Sequence, residues 1–360
     1  MTNTLVSRGW QKFLCTAAEC AEDSPMSLGL QQGRKTGYVQ GILRAALMSY
    51  PSYRRHGQGK SSRLRRCQLC VPGSSSKMLA KAAALRCDGV ILDLEDAVAP
   101  NAKAEARGLV VDAMLSHAWQ ARSVSVRIND VDTEYCHDDI IDIVTGAGAR
   151  LDTLVLTKAK SAVDVMFVHL LLDQLEKKLK LARPIGIECI IEDVQGMLNV
   201  EEIAGCSDRL ESLVFGMGDY SASQMMNLQE IGGSGAVYPP DLWHYPRYKM
   251  IIACRANGLD PIDGPYANFR DTDTFRSECQ RASVLGMAGK WAIHPDQVAT
   301  ANTAFSPPPA LVAIARKHKA AYAQALTAGL GAINVDGVMV DAASIRLQQN
   351  LLDRADLIDL

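Results

Sequence analysis

Residues 185–223 read IGIECIIEDVQGMLNVEEIAGCSDRLESLVFGMGDYSAS, and this stretch decides the fold. It contains two short apolar runs, IGIECII and SLVFGMG, and a carboxylate follows each run directly: Glu192 after the first and Asp219 after the second. Runs of β-branched and aliphatic residues without alternation are typical of strands that are buried on both faces of a parallel sheet. The stretch therefore predicts two parallel strands, each ending at an acidic side chain.

These two carboxylates predict a metal site. If the two strands are neighbours in a barrel, the side chains of Glu192 and Asp219 project from the same rim, within reach of one ion. Carboxylate oxygens that leave positions open for water and substrate suit Mg²⁺, which keeps several of its waters in protein sites. The alternative is that both carboxylates only cap the helices that follow them, but their occurrence in successive units favours the metal site.

The strand pattern of this stretch repeats over most of the chain. Apolar runs of strand length alternate with helix-like segments such as SKMLAKAAALR and NAKAEARGLVVDAMLSHAW, and this alternation indicates a parallel sheet. Eight units fit a (β/α)₈ TIM barrel of the α/β class, which typically takes about 250 residues. A doubly wound sheet is the alternative, but no Gly-rich fingerprint follows the first strand. The runs lie at 67–73, 89–98, 123–130, 153–159, 185–193, 212–219, 260–266 and 289–295.

The chain divides into three parts. Residues 1–62 lack the repeating pattern and are predicted to form an N-terminal extension, whereas residues 63–306 are predicted to form the barrel domain. Residues 307–360 are predicted to form a C-terminal helical tail, in which the extended piece VDGVMVD places Asp341 at the start of a last helix. The Gly-rich segment 231–237 follows no strand, so we interpret it as a mobile loop and not as a phosphate cradle.

Composition limits the classes of function. The chain has 360 residues, is 48% hydrophobic and carries a formal net charge of -2, so it has enough apolar residues for a full core and no general attraction to nucleic acid or acidic membranes. Ten cysteines without a signal peptide indicate reduced thiols, and we expect a cytoplasmic protein. Cys67 and Cys70 have CxxC spacing, but they lie in an apolar run and are predicted to be core cysteines. No apolar stretch reaches the length of a membrane span.

Seven segments together resemble the CitE-like branch of the HpcH/HpaI aldolase and citrate lyase superfamily. They are VPGSSSKMLAKA, DGVILDLEDAV, VRIND, LTKAKSAVDV, IEDVQGMLNVEEIA, VFGMGDYSAS and GKWAIHPDQV, in the order and at the spacing of that branch. The tail with GVMVDAAS is similar to that of the stand-alone acyl-CoA lyases. Among these lyases, the whole chain resembles the citramalyl-CoA lyases most. The resemblance implies a TIM barrel, a Mg²⁺ ion with Mn²⁺ as a substitute, and a CoA thioester as substrate.

The resemblance also implies a metal-binding pair and a substrate-binding arginine. The family's metal-binding glutamate comes four residues before a glycine, which selects Glu192 before Gly196 and excludes Glu188. The metal-binding aspartate of the family corresponds to Asp219 in GMGDY. The arginine of the family's V-R-x-N motif corresponds to Arg127, which is expected to meet carbonyl or carboxylate oxygens of the substrate.

Other positions follow from the same resemblance. Glu95 and Asp96 correspond to residues around the waters of the metal. Asp341 corresponds to an acid or base that reaches the active site of a neighbouring subunit, which implies a homo-oligomer, a trimer or a hexamer. Lys77 replaces an arginine and Ser76 a proline of the family's PGxxPR motif, so the CoA contacts are left undecided. The residues expected to bind the thioester or its carboxylate are Arg65, Pro72, Gly73, Ser74, Lys77, Gly216, Met217 and Gly218.

These roles imply a retro-aldol or Claisen-type cleavage of a 3-hydroxyacyl-CoA. The metal would orient the hydroxyl and carboxylate groups, Arg127 would stabilise the enolate oxygen, and Asp341 would protonate the enolate carbon. The first expectation is a lyase that converts citramalyl-CoA to acetyl-CoA and pyruvate. The alternatives are a malyl-CoA or β-methylmalyl-CoA lyase that gives glyoxylate, a malyl-CoA thioesterase, and, in a different class, a non-catalytic subunit that binds acyl-thioesters.

Three of the candidate residues have a second interpretation. Arg127 is otherwise a salt-bridge partner at the rim, and Asp341 is otherwise an N-cap of the last helix. Lys158, at the end of the fourth apolar run, is a candidate Schiff-base lysine, which would make the protein a metal-free aldolase. The paired carboxylates favour the metal-dependent reaction.

Overall fold

The computed structural model describes residues 63–228 and 241–358. The predicted N-terminal extension, residues 1–62, and the Gly-rich segment 231–237 both lie outside these ranges. Across the two ranges, no helix combines the length and the hydropathy that are needed to cross a bilayer.

Eight parallel strands close into a barrel in the order of the chain, and the last strand pairs with the first. This confirms the (β/α)₈ fold expected from the sequence. All residues of the second, third and fifth strands are buried, because helices cover the outside of such a barrel while side chains fill its interior. The strands are β1 (Cys67–Pro72), β2 (Gly89–Asp93), β3 (Ser123–Ile128), β4 (Thr153–Leu156), β5 (Gly186–Ile191), β6 (Leu210–Phe215), β7 (Asp260–Asp263) and β8 (Gly289–Ala292).

Helices follow the strands, and sequence signals set several of their ends. Ser161 and Asp164 form a capping box at the start of the helix after β4. Gly286 ends the helix after β7 in the left-handed conformation, with φ of 113°. Two 3₁₀ turns occupy Pro100–Ala102 and Gly148–Arg150. The barrel helices are α1 (Ser76–Ala83), α2 (Lys103–Ser116), α3 (Cys136–Ala147), α4 (Ala162–Leu179), α5 (Val194–Leu198), α6 (Val200–Gly205), α7 (Met217–Ser223), α8 (His244–Ala256), α9 (Thr272–Leu285) and α10 (Asp296–Phe305).

The sixth strand is shorter than the predicted run 212–219. The last hydrogen bond of its ladder to β5 runs from the Gly216 N–H to the Ile191 carbonyl, at 3.1 Å. Beyond it the chain turns into α7, because the Tyr220 N–H donates to the Gly216 carbonyl at 3.1 Å. Asp219 therefore lies in the first turn of a helix and not at the end of a strand.

The barrel interior has an apolar layer above a polar layer. The polar layer surrounds the buried Glu188, which accepts hydrogen bonds from Gln68 at 2.8 Å, Thr153 at 2.9 Å and Ser212 at 2.6 Å. Burial opposes ionisation of Glu188, but the nearby charge of Arg65 and these hydrogen bonds lower the pKa of its carboxyl. The apolar layer lies towards the carboxyl ends of the strands and consists of Ile91, Val155, Ile190, Val214, Ile262 and Trp291.

The tail after the barrel contains two helices and a hairpin. Helix α11 (Pro309–Thr327) precedes the antiparallel pair β9 (Ala332–Val335) and β10 (Val338–Asp341), and α12 (Ala342–Leu357) follows. The predicted extended piece VDGVMVD is thus the turn and second strand of a hairpin. Its two turn residues, Asp336 and Gly337, have φ of 52° and 84°, as a two-residue hairpin turn requires. Helices α11 and α12 pack against each other through Val312, Ala315, Leu352 and Ala355.

Candidate active site

Charged side chains gather at the carboxyl ends of the strands, which is the end where TIM-barrel enzymes carry their active sites. Five carboxylates surround two cations, and ion pairs connect most of them. We call this group the rim cluster. It consists of Asp93, Glu95, Asp96, Arg127, Lys158, Glu192 and Asp219.

Arg127 on β3 is held by Asp93 at the end of β2. Its Nε donates to Asp93 Oδ1 at 2.7 Å, and its Nη2 donates to Asp93 Oδ2 at 2.6 Å. The third nitrogen, Nη1, lies 2.9 Å from Glu95 Oε2 and 3.7 Å from the exposed Asp96. Burial opposes the positive charge, but the hydrogen bonds with Asp93 and the neighbouring negative charges raise the pKa of Arg127. The guanidinium is therefore a permanently charged group in a fixed orientation.

Asp93 also shapes the loop that carries the next two acids. Its carboxylate accepts hydrogen bonds from the Glu95 N–H at 2.8 Å and the Ala97 N–H at 3.2 Å. Asp93 is a site residue that the sequence patterns do not identify. The available signal was a charged residue inside a fully buried strand, since a buried carboxylate needs a charged or hydrogen-bonding partner.

Lys158 connects both halves of the rim cluster. Its backbone N–H donates to Glu192 Oε1 at 2.9 Å, and its ammonium contacts Glu95 and lies 3.3 Å from Asp219 Oδ2. Its φ is 49°, a left-handed conformation that a residue other than glycine keeps only where its surroundings hold it. Burial lowers the pKa of Lys158, but the hydrogen bond and charge of Glu95 outweigh burial and raise it. A Schiff-base lysine needs a neutral amine, so this environment disfavours the metal-free alternative.

Glu192 follows β5 and is buried next to other carboxylates. Burial, together with the charges of Glu95 and Asp219, raises the pKa of Glu192 to about 8, although Lys158 opposes the shift. Glu192 packs against Gly216, where an added Cβ would lie 2.6 Å from Glu192 Oε2. A side chain at position 216 would therefore push the carboxylate out of its place.

A cavity of about 110 Å³ opens between Glu192 and Asp219. Its wall includes Arg127 and the segment from Gly216 to Gly218, and Trp291 closes it on the β8 side. The guanidinium of Arg127 lies 5.7 Å from the centre of the Trp291 ring, a cation–π distance. Trp291, like Asp93, was not identified from the sequence.

The donor chemistry of the rim cluster fits a hard divalent cation. The cluster has more carboxylates, five, than cations, two, and the raised pKa of Glu192 results first from burial and then from the neighbouring charges of Glu95 and Asp219. No group of three or more His, Cys, Asp or Glu forms a metal cage within residues 63–228 and 241–358. Two carboxylates with open coordination positions match Mg²⁺, which is bound by few protein ligands and several waters.

The loop after β1 reaches the same rim. The Gly73 N–H donates to the Asp93 carbonyl at 2.8 Å, and a Cβ on Gly73 would lie 2.6 Å from that oxygen. This close approach joins the segment from Pro72 to Ser74 to β2, whose Asp93 holds the side chain of Arg127. Ser74 and Lys77 are exposed in this loop and in the first turn of α1.

Arg65 does not lie at this rim. It precedes β1 at the opposite end of the barrel, where it is 3% exposed and forms ion pairs with Glu211, with Asp260 at 3.2 Å and with Glu188 at 3.6 Å. Six strand residues separate it from the rim. The expectation that Arg65 contacts the thioester is therefore replaced by a structural role inside the barrel.

Asp341 also lies apart from the rim cluster of its own chain. It caps α12, with its Oδ1 accepting hydrogen bonds from the Ser344 N–H and hydroxyl at 2.8 Å each. These hydrogen bonds lower the pKa of Asp341. The N-cap interpretation therefore describes its contacts within one subunit.

Three comparisons place this geometry among known proteins. Residues 66–295 match the family model described as HpcH/HpaI aldolase/citrate lyase. The chain is 40% identical over 306 residues to an L-malyl-CoA/β-methylmalyl-CoA lyase of Cereibacter sphaeroides (strain ATCC 17025 / ATH 2.4.3), covering 82% of this chain and 96% of the relative. It is 30% identical over 282 residues to a malyl-CoA/β-methylmalyl-CoA/citramalyl-CoA lyase of Chloroflexus aurantiacus, covering 74% and 80% of the two chains.

A solved structure shares the fold. The protein CitE from Mycobacterium tuberculosis, in complex with magnesium, acetoacetate and coenzyme A, matches with a TM-score of 0.64 at 26% identity, covering 81% of this chain and 97% of that chain. The family match spans more than half of the sequence, and both named relatives are lyases that act on CoA esters. The chain therefore belongs to the HpcH/HpaI aldolase/citrate lyase family.

Proposed function

We propose that the protein is a Mg²⁺-dependent carbon–carbon lyase that cleaves malyl-CoA and β-methylmalyl-CoA, with glyoxylate as the small product. The observation that carries the proposal is the grouping of Glu192, Asp219 and Arg127 around one cavity. The choice of substrate follows the C. sphaeroides relative, which is named for these two thioesters. Citramalyl-CoA, the first expectation from the sequence, is the second candidate, because the C. aurantiacus relative carries it in its name at lower identity.

Glu192 and Asp219 would hold the metal, and Glu95 and Asp96 would hold its waters through hydrogen bonds. When bound, the metal supplies Lewis-acid polarisation of the substrate hydroxyl and of the carboxylate beside it. Mn²⁺ accepts the same oxygen ligands, so we include it as a substitute. The magnesium in the CitE complex supports this assignment.

The reaction breaks the bond between the hydroxyl-bearing carbon and the carbon next to the thioester carbonyl. The hydroxyl passes its proton to solvent water as its carbon becomes the aldehyde of glyoxylate, the electron pair of the broken bond moves into the thioester as an enolate, and the enolate carbon then takes up one proton. Arg127 would stabilise the enolate oxygen through the N–H of Nη1 that does not point at Glu95, because Nε and Nη2 are bound to Asp93. A fixed and permanently charged guanidinium does this without reorganisation during the reaction.

The remaining rim residues would position the substrate. Met217 and Gly218 line the cavity at the start of α7, and their backbone N–H groups would hold the substrate carboxylate, as turn amides do for other anions. The Gly216 N–H is already donated to the Ile191 carbonyl, so Gly216 would contribute only the close approach of its backbone. Pro72, Gly73, Ser74 and Lys77 would contact the CoA part from the neighbouring loop. Lys158 would keep Glu95, Asp219 and Glu192 in place through its ammonium and its backbone N–H.

The enolate carbon needs a proton, and we propose Asp341 of a neighbouring subunit as its source. Within its own chain Asp341 caps α12 and does not line the cavity. The lowered pKa of Asp341 suits a base, which is its role in the condensing direction. In the cleavage direction Asp341 acts as the acid, so the site of the neighbouring subunit must raise this pKa. The proposal requires a homo-oligomer, either a trimer or a hexamer.

The test is the identification of products by mass spectrometry after incubation of the full chain with Mg²⁺ and each of malyl-CoA, β-methylmalyl-CoA and citramalyl-CoA. We expect glyoxylate from the first two, faster than pyruvate from the third. Preferential release of pyruvate would move the assignment to citramalyl-CoA. Free malate with CoA would identify a thioesterase, and no product at all would contradict the lyase proposal.

A further inference from the structure

A second cavity lies at the opposite end of the barrel from the rim cluster. Its volume is about 720 Å³, and pockets for small molecules are typically about 300–1,000 Å³. The residues before β1, the start of β7 and the last turns of α12 enclose it. Because strands begin here and the rim cluster lies where strands end, the barrel interior separates the two cavities.

Arginines dominate the polar part of its wall. Three of them, Arg63, Arg65 and Arg66, are held by carboxylates at the base of the barrel. These ion pairs hold the three arginine side chains in place and neutralise their charge. The two further arginines, Arg255 on α8 and Arg354 in the last turn of α12, are placed differently.

Arg255 and Arg354 face the cavity without a carboxylate of their own. The Arg255 Nη2 donates to the Gly286 carbonyl at 2.8 Å, and its Nη1 lies 3.6 Å from Asp260, a carboxylate that also pairs with Arg65. Arg354 forms no ion pair with any carboxylate in the part of the chain that the structure describes. Burial and the charge of Arg255 lower the pKa of Arg354, and the charge of Asp260 only partly opposes them. Two guanidiniums thus repel each other across a partly enclosed space.

The rest of the wall contains the polar residues Glu211, Asp260, Asn350 and Asp353 and an apolar part. Ile251, Leu285 and Phe305 are contributed by the barrel helices, and Leu357 is contributed by α12. A ligand that satisfies this wall needs an anionic head for the two guanidiniums and an apolar body for these side chains. A solvated inorganic ion would leave the apolar surface uncovered, so the cavity favours an organic anion over an inorganic one.

We propose that this cavity binds a small organic anion, with a phosphate or carboxylate head between Arg255 and Arg354 and an apolar body against Ile251 and Phe305. Guanidinium groups bind both kinds of head through paired N–H donors. Neither residue belongs to the rim cluster, so the proposal does not depend on the lyase assignment.

Calorimetry on the full chain tests the proposal with three probes of similar shape: phenyl phosphate, benzoate and the neutral benzyl alcohol. We expect the wild type to bind at least one anion and to bind benzyl alcohol at least about tenfold more weakly. Arg354→Gln should weaken anion binding at least about tenfold, since it removes a charged hydrogen-bond donor. Arg354→Lys, which keeps the charge, should retain part of the affinity and guards against a folding defect in the first variant.

Arg276→Gln is the matched control, because Arg276 is an exposed arginine on α9 that pairs with Asp273 outside the cavity. It should bind the anions like the wild type. Preference for phenyl phosphate would identify a phosphate ligand and preference for benzoate a carboxylate, and both results support the site. No anion binding by the full chain, or anion binding that Arg354→Gln leaves unchanged, would overturn it.

Discussion

Asp93 and Arg127 form a two-point ion pair between adjacent strands, with N–O distances of 2.7 and 2.6 Å. The ion pair occupies Nε and Nη2 of the guanidinium, so that Nη1 faces the cavity and Glu95. The orientation of the Arg127 guanidinium therefore depends on Asp93, which does not itself line the cavity.

Asp93→Asn tests this dependence. An amide cannot accept two charged hydrogen bonds in the same way, so Arg127 should lose its orientation and kcat should fall about 10²-fold with a smaller change in KM. Asp142→Asn is the control, because Asp142 on α3 also pairs with an arginine, Arg107 at 2.7 Å, but belongs neither to the rim cluster nor to the cavity wall, and it should leave kcat unchanged. Steady-state kinetics of both variants would measure kcat and KM, and circular dichroism would show that both are folded. Equal losses in the two variants would contradict the positioning role of Asp93.

Gly216→Ala should separate metal binding from folding. The added methyl would clash with Glu192 Cβ, with Glu192 Oε2 at 2.6 Å and with Ile190 Cγ2 at 2.9 Å, so Glu192 must move. In protein that circular dichroism shows to be folded, Mg²⁺ affinity measured by calorimetry should fall at least about tenfold. Gly108→Ala is the matched control, since an added Cβ there meets nothing within 4 Å. It should leave affinity unchanged and stabilise α2 by about 0.5–1 kcal/mol. Unchanged Mg²⁺ affinity in Gly216→Ala would show that Glu192 is not a ligand.

Metal binding should depend on pH through Glu192. Its carboxyl, with a pKa of about 8, must lose a proton before it can bind Mg²⁺. Affinity should therefore rise by up to about tenfold per pH unit below pH 8 and level off above it. Calorimetry between pH 6 and 9 measures this dependence, and Glu192→Gln should abolish it. An affinity that does not change with pH would argue against a buried, protonated Glu192.

The same shift affects stability when metal is chelated. The folded-state pKa of Glu192 lies above its ordinary value of 4.5, so the folded protein holds a proton that the unfolded chain has released. This contribution to the free energy of unfolding is complete below pH 4.5 and is lost as pH rises towards 8. Thermal unfolding in EDTA should show Glu192→Gln gaining stability relative to the wild type across this interval, and a constant difference would contradict the assignment.

Mixing inactive subunits tests whether Asp341 acts on a neighbour. Asp341→Asn and Glu192→Gln should each be inactive alone, because one lacks the proton donor and the other a metal ligand. If the site is shared, unfolding and refolding the two variants together at equal amounts should restore about a quarter of wild-type activity, the share of sites with both native residues in a randomly mixed oligomer. No recovery in oligomers that contain both variants would show that Asp341 does not act in the site of a neighbour, and full activity of Asp341→Asn alone would place it outside the site.

The sequence was sufficient for the barrel because short runs rich in apolar residues alternate eight times with helical segments. It also identified Glu192 and Asp219 as neighbours, since the carboxyl ends of parallel strands meet at one rim. It placed Asp219 on a strand, whereas the chain already turns into α7 after Gly216. The hydrogen bond that starts this turn joins the Tyr220 N–H to the Gly216 carbonyl, and a run of apolar residues does not show where the strand ends and the helix begins.

Two further differences have a similar origin. Asp93 and Trp291 lie within buried strands, where a sequence pattern shows burial but not the partner across the sheet. Arg65 stands next to the first strand in the sequence, but six strand residues at about 3.3 Å each separate it from the rim. The position of Arg65 next to the first strand in the sequence did not reveal at which end of the barrel its side chain lies.

The central claim is that Glu192 and Asp219 hold the ion that cleavage requires. The most direct measurement is the rate of glyoxylate release from malyl-CoA by the wild type and by Glu192→Gln, with Mg²⁺ and with excess EDTA. We predict release by the wild type with Mg²⁺, little release with EDTA, and little release by Glu192→Gln under both conditions. Release that EDTA does not reduce, or that Glu192→Gln retains, would contradict the claim.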